Sequence, residues 1–142
     1  GEFYLNYAEA LFNLAGDGYT TPSGFGSATA AYYINQIRRR AGLANLDTDL
    51  SASDFKQKYE NERFVELAFE GHRFFDVRRW KEADKYFKTI RGIEITKNDD
   101  GTFTETPKTV QNRQWDDKMY LFPIPQSEIL KSGNVLTQNP GW

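Results

Sequence analysis

Apolar and polar positions alternate with a helical period from the first residues. Tyr4, Ala8, Leu11, Phe12 and Ala15 fall on one side and Asn6, Glu9 and Asn13 on the other, which predicts an amphipathic helix over Glu2–Ala15 ended by Gly16. The pattern starts without a capping side chain, so the chain is expected to be cut from a longer one just upstream. A Gly, Thr, Pro and Ser-rich loop carrying Tyr19 and Phe25 follows. Ala30, Tyr33, Ile34, Ile37 and Ala41 then mark a second helix that stops at Gly42. The two helices form a unit of tetratricopeptide type with a longer loop, in which Ala8 and Ala30 allow close contact. A single repeat of this kind cannot bury both of its apolar faces, and neighbours are expected upstream.

A third helix is announced by Ser51 and Asp54 at capping-box spacing, with Leu50 and Phe55 placed for a hydrophobic staple. It is expected to reach Phe69. Its second half, Phe64, Val65, Leu67, Ala68 and Phe69, is apolar almost all round, which predicts burial among other elements. A short helix should follow Gly71 through Phe75 to Trp80 or Tyr86. The period then changes: Ile93 and Ile95 alternate, Asp100-Gly101 signals a two-residue turn and Phe103 follows, predicting a small β-hairpin. Thr106–Lys118 reads as irregular, and the end of the chain as extended Tyr120–Pro125, a helical turn over Gln126–Lys131 and a last turn at Asn139-Pro140-Gly141. The fold class is therefore mainly α, helical hairpins with a small β-hairpin and a long irregular C-terminal segment.

Composition narrows the function. With 142 residues one domain is expected, and 18 basic against 20 acidic residues leave a net charge of -2 with no basic footprint for nucleic acid. There is no Cys, which removes disulfides, thiolate zinc sites and cysteine nucleophiles. No apolar run approaches the ~20 residues of a membrane-spanning helix, and no signal-peptide pattern stands at Gly1. Aromatic residues make up 15% of the chain, enough for stacking surfaces as well as core.

Four runs then stand out in order: YINQIRRRAGL over Tyr33–Leu43, ERFVELAFEGHRFFDVRRW over Glu62–Trp80, YLFPIPQSEI over Tyr120–Ile129 and LTQNPGW over Leu136–Trp142. Together they resemble the C-terminal signature of SusD/RagB-like proteins, and the resemblance spans nearly the whole chain. It implies a mainly helical scaffold with tetratricopeptide-like units. It also implies a lipoprotein tethered to the outer face of the outer membrane, beside a SusC-like TonB-dependent transporter, capturing oligosaccharides for uptake, or peptides in the RagB-like branch. Such proteins are much longer than this chain and begin with a lipidated Cys after a signal peptide. Residues 1–142 are thus expected to be the C-terminal domain, a fragment of a longer protein whose upstream segments supply much of the ligand surface.

The candidate chemistry divides into structural and binding readings. Glu62 and Glu66 share a helix face, as paired carboxylates of a hydrolase could, but spacing does not establish the ~5–10 Å geometry of a glycosidase. Arg38, Arg39 and Arg40 can reach them from the second helix, and a structural ion-pair network is the expectation. His72, the sole histidine, is expected to be held by a hydrogen bond at the kink after Gly71. Nucleophile-elbow and phosphate-loop motifs are absent, and neither a cofactor nor a metal is expected. Asn98-Asp99-Asp100-Gly101 lacks the distal acid of a calcium loop and reads as a turn. Trp115, among Gln111, Asn112, Arg113, Gln114 and Asp116, has the flat face and polar surround of a sugar site, with packing against the hairpin as the plainer alternative. Tyr19 and Phe25 are weaker ligand candidates, and Trp80 is expected in the core. Three functions stay open at this point: a glycan-capturing module, a peptide-capturing module of the same architecture, and a carboxylate-pair hydrolase.

Overall fold

A computed structural model describes all residues from Gly1 to Trp142, and the chain divides into two compact units, Gly1–Arg73 and Phe74–Trp142. No helix is long and apolar enough to cross a membrane.

The first unit is built on three helices, α1 (Glu2–Ala15), α2 (Ala30–Arg40) and α3 (Ala52–Glu66). Gly16 ends α1 in the left-handed conformation at φ 80°, where a Cβ would be strained, and its N–H closes on the Phe12 carbonyl. Thr29 caps α2 through its side chain, which accepts from the Tyr32 N–H, and Ser51 caps α3 by accepting from the Asp54 N–H. The Ser51 hydroxyl also donates to the Asp54 carboxylate at 2.6 Å, closing the first turn from both sides. α1 packs mainly on α2 and also meets α3. Leu5, Ala8, Leu11, Ala30, Ile34, Ile37, Phe55 and Tyr59 are buried between them, and the two alanines bring the backbones close. Phe12 stacks on Phe55 with centroids 5.4 Å apart. Gly18 cannot be replaced cheaply, because a Cβ there would lie 2.2 Å from the Phe55 ring while its carbonyl accepts from the Ala31 N–H at 2.8 Å.

The end of α3 departs from the sequence expectation. The helix stops at Glu66, with Leu67 as its C-cap, and Phe69 takes a left-handed φ of 66°. Leu67 is buried, but Phe64, Val65 and Phe69 are exposed. An all-round apolar segment says that burial is favourable without saying which side this unit can cover, and here it covers one. The Arg73 guanidinium lies over the Phe64 ring at 4.7 Å, so part of that face is shared with a cation.

The second unit holds the last two turns of α4 (His72–Arg79), then α5 (Ala83–Tyr86), β1 (Thr89–Lys97), β2 (Phe103–Asn112), a 3-10 turn at Asp117–Tyr120 and α6 (Gln126–Lys131). The helix expected after Gly71 ends at Arg79, beside the nearer of its two expected limits, and α5 is a separate helix, parted from it where Lys81 adopts φ 56°. The hairpin is antiparallel, from Thr89 opposite Asn112 to Lys97 opposite Phe103, with a bulge at Ile90/Arg91. β2 reaches Asn112, so the segment read as irregular from Thr106 is largely strand. The turn is also longer than two residues: Asn98 pairs its backbone N–H with the Thr102 carbonyl, and Gly101 sits between them at φ 84°. Most of the hairpin's residues are exposed, on both faces.

Two of the sequence runs are sewn together at the end of the chain. The Gln138 amide donates to the Ile124 carbonyl at 2.8 Å and accepts from the Ile124 N–H at 2.7 Å, pairing with that backbone as a strand would. Asn139 donates to the Phe122 carbonyl at 2.6 Å, and the Trp142 indole N–H to the Lys118 carbonyl at 3.0 Å. A polar C-terminal tail thus holds an extended proline-rich segment that lacks the N–H groups to pair by itself.

Candidate functional site

The arginine run at the end of α2 is aimed at α3. Arg38 donates to Glu62, and its Nε donates to the Ala44 carbonyl at 2.7 Å; Arg40 forks onto both oxygens of Glu66 at 2.8 and 2.6 Å. Arg39 is placed differently from the sequence expectation: it points back to the Asn35 carbonyl at 3.2 Å, because consecutive residues on a helix are about 100° apart and three arginines cannot face one neighbour. Both glutamates are mostly covered, at 12% and 15% exposed, and both are spent on guanidinium groups. Their arrangement joins two helices and presents no free carboxylate pair for acid-base chemistry.

A second polar seam joins α1 to α3. The Tyr59 hydroxyl donates to Glu9, and Arg63 donates to the Asn6 amide oxygen at 2.8 Å. Glu60 and Arg63 are almost wholly buried, with Lys56 3.5 Å from Glu60. Asn6 and Glu9 looked like the wet side of α1 in the sequence. Asn6 does remain exposed and Glu9 is half-buried, yet both accept from α3: the buried Arg63 guanidinium must be met by an acceptor, and the Tyr59 hydroxyl finds one in Glu9. His72 lies 4.0 Å from Glu2 and 3.9 Å from Glu70, between two acids at ion-pair range.

The three candidate ligand rings are in different settings. Tyr19 is half-buried, its ring edge-on to Phe55 at 5.5 Å and its hydroxyl donating to the Asp47 carbonyl. Burial pushes the pKa of this phenol up. Asp17 shapes the loop by accepting from the backbone N–H groups of Thr20 and Tyr19 at 2.6 and 2.7 Å, and these bonds hold its carboxyl below the usual value. Phe25 lies in the same loop with its ring exposed.

Trp115 belongs to an aromatic cluster of the second unit. Its ring meets Phe87 at 5.6 Å and Tyr120 at 5.0 Å, and it is half-buried. Phe74 continues the cluster to Phe87 and stacks on Phe122 at 6.1 Å. Arg78 sits among these rings, 3.5 Å above the Phe74 centroid and within 5.3 to 5.6 Å of Phe87, Trp115 and Phe122. Its guanidinium donates to the Phe74 carbonyl at 3.1 Å, and burial lowers its pKa from the ordinary value. Sequence reading missed this cluster, although Phe74 and Arg78 stand four apart on one helix face; Phe87, Trp115 and Phe122 come from separate elements, and nothing in the chain order signals their meeting. Trp80, expected in the core, is half-buried beside the Arg79 guanidinium at 4.9 Å. No group of three or more His, Asp or Glu side chains is disposed to hold a metal ion.

The SusD family model matches residues 1–142, and the chain belongs to the SusD family. It is 30% identical, over 97% of its length, to SusD-like protein P2 of Formosa agariphila. Its fold is similar to that of a SusD-like protein from Bacteroides fragilis NCTC 9343, with a TM-score of 0.75, 34% identity and 99% of the chain covered. The chain spans only about a quarter of either protein, 25% of the first and 24% of the second.

Proposed function

We propose that these residues are the C-terminal scaffold of a cell-surface nutrient-binding protein, a binding component and not an enzyme, which passes captured oligosaccharide to a SusC-like TonB-dependent transporter. The observation that carries this reading is the SusD family match from Gly1 to Trp142. The site geometry supports it: the motif-bearing arginines and glutamates are engaged in helix-to-helix pairing, and the aromatic cluster around Arg78 uses its rings mainly on one another. The complete protein is longer, anchored to the outer face of the outer membrane by a lipid, and draws most of its ligand surface from segments beyond these residues. Within them, Phe25 is the candidate ring most open to a sugar face, Tyr19 supports its loop, and Trp115 can offer an edge of its ring.

Calorimetry on the full-length protein tests this reading, with panels of oligosaccharides and peptides and chromatography of the mixture afterwards. Binding of a glycan with the ligand recovered intact is the expected result. Binding of peptides alone moves the protein to the RagB-like reading, and release of cleaved product in proportion to enzyme and time overturns the assignment.

A further inference from the structure

Arg78 and Arg79 close helix α4 with opposite fates. Arg79 ends on the Asp76 carboxylate at 2.9 Å, as Arg38 and Arg40 end on glutamates. Arg78, turned about 100° further round the helix, enters the ring cluster instead and has no carboxylate within ion-pair range. Its single hydrogen bond runs from Nη1 to the Phe74 carbonyl of its own helix. Nε is buried with no partner, and Nη2 makes no bond either. These two atoms form one edge of the guanidinium, the edge that a carboxylate takes with both of its oxygens. The rings do not answer that edge: a π-face attracts the charge from above, whereas the N–H groups point outward in the guanidinium plane. Burial alone lowers the pKa of Arg78, with no anion to offset it. The Trp115 indole Nε1 is a second buried donor without a partner in the same cluster, its ring centre 5.3 Å from the guanidinium carbon. Buried donors in folded proteins are nearly always paired, so two orphans in one cluster ask for an acceptor.

We propose that Arg78 and Trp115 recognise the carboxylate of an acidic sugar, a uronic acid unit that lays its C–H face on the Phe122 ring and sets its carboxylate on the open guanidinium edge. The proposal rests on the reading of the full-length protein as a glycan-binding component and names a substrate class for it. Phe74 and Phe122 both keep exposed ring surface beside the cation, which a sugar face needs. Nε is covered by the rings around it, of which Phe74 is nearest, so a turn of that ring opens the edge as the carboxylate docks.

NMR of the full-length, 15N-labelled protein tests this, with the Trp115 indole N–H identified by its loss in Trp115→Phe. Sodium glucuronate or sodium galacturonate should move that signal saturably, while glucose leaves it in place and acetate, which lacks the ring, binds more weakly. In Arg78→Lys, which keeps the charge and loses the two-pronged edge, the affinity for the uronate should fall roughly tenfold. A signal that neither uronate moves overturns the proposal, as it would if an acidic side chain from elsewhere in the polypeptide already held the edge. An equal response to glucose, an acetate affinity equal to that of the uronates, or an unchanged uronate affinity in folded Arg78→Lys overturns it as well. The titration of the unsubstituted protein decides the matter even if the lysine variant does not fold. The underlying reading fails separately: neutral glycans bound with a silent Trp115 signal sink this proposal alone, whereas binding of peptides and of no glycan sinks the reading beneath it.

Discussion

Glu62 and Glu66 are both paired with arginines of α2, yet their removal should have different costs. The difference lies in what each deletion leaves behind. Arg38 is 20% exposed, so Glu62→Ala leaves a mostly covered guanidinium with the Ala44 carbonyl as its remaining acceptor here, and should destabilise the protein by about 3 kcal/mol. Arg40 is 66% exposed, so after Glu66→Ala it turns into water and the cost falls to about 1 kcal/mol or less. The second pair is also asymmetric. Arg40→Ala abandons a carboxylate that is only 15% exposed, and should cost about 2 kcal/mol, more than deletion of its partner. Urea unfolding at constant m-value measures each change, and double-mutant cycles isolate the couplings. The Arg38–Glu62 coupling should be the larger and should persist in high salt, while the Arg40–Glu66 coupling is screened. Equal costs for the two glutamates, or a larger cost for Glu66→Ala than for Arg40→Ala, would refute the argument that the stranded partner's burial sets the penalty.

Tyr59→Phe removes the hydroxyl that meets Glu9 and should cost about 1 to 2 kcal/mol, read by chemical denaturation; no loss would show that the α1–α3 seam does not depend on that bond. Trp115→Ala should destabilise by about 2 kcal/mol through lost ring packing, and Trp115→Phe by less; if the alanine variant of the full-length protein folds with unchanged stability and loses glycan affinity in calorimetry, the ring is a ligand contact and not a packing element. Asp17 and Asp100 are both held below 3.8, Asp17 by the backbone N–H groups of Thr20 and Tyr19, Asp100 first by the Thr102 hydroxyl and then by its N–H. Depressed carboxyl pKa values contribute stability that is complete above the unfolded value and lost as pH falls through the folded one. Both turns should therefore hold at pH 5 and above and loosen below about pH 4, with NMR titration midpoints under 3.8; for Asp100 the midpoint should rise toward that value in Thr102→Val without reaching it, because the backbone N–H bond remains, and midpoints at or above 3.8 in the unsubstituted protein would contradict the observed bonding.

The sequence by itself determined the limits of α1, the start of α3 and which family the chain belongs to. Gly16 and Ser51 act within one turn of their own position, so the limits of α1 and the start of α3 follow from local chemistry. The hairpin was legible for the same reason, through Ile93, Ile95 and Gly101, and the Arg38–Glu62 and Arg40–Glu66 pairs were within reach because helical phase fixes which residues share a face. Tertiary structure alone decided how each face was used. Asn6 and Glu9 look like free polar positions until Arg63 and Tyr59 arrive from fifty or more residues away and take them as acceptors. Phe64 and Val65 look buried until the fold exposes their side of α3, and Phe74, Phe87, Trp115 and Phe122 meet around Arg78 from segments with no common period. Caps, turns and helical phase depend on neighbours in the chain, whereas burial and partner choice depend on which surfaces meet in space, and that information is carried by no short stretch of residues.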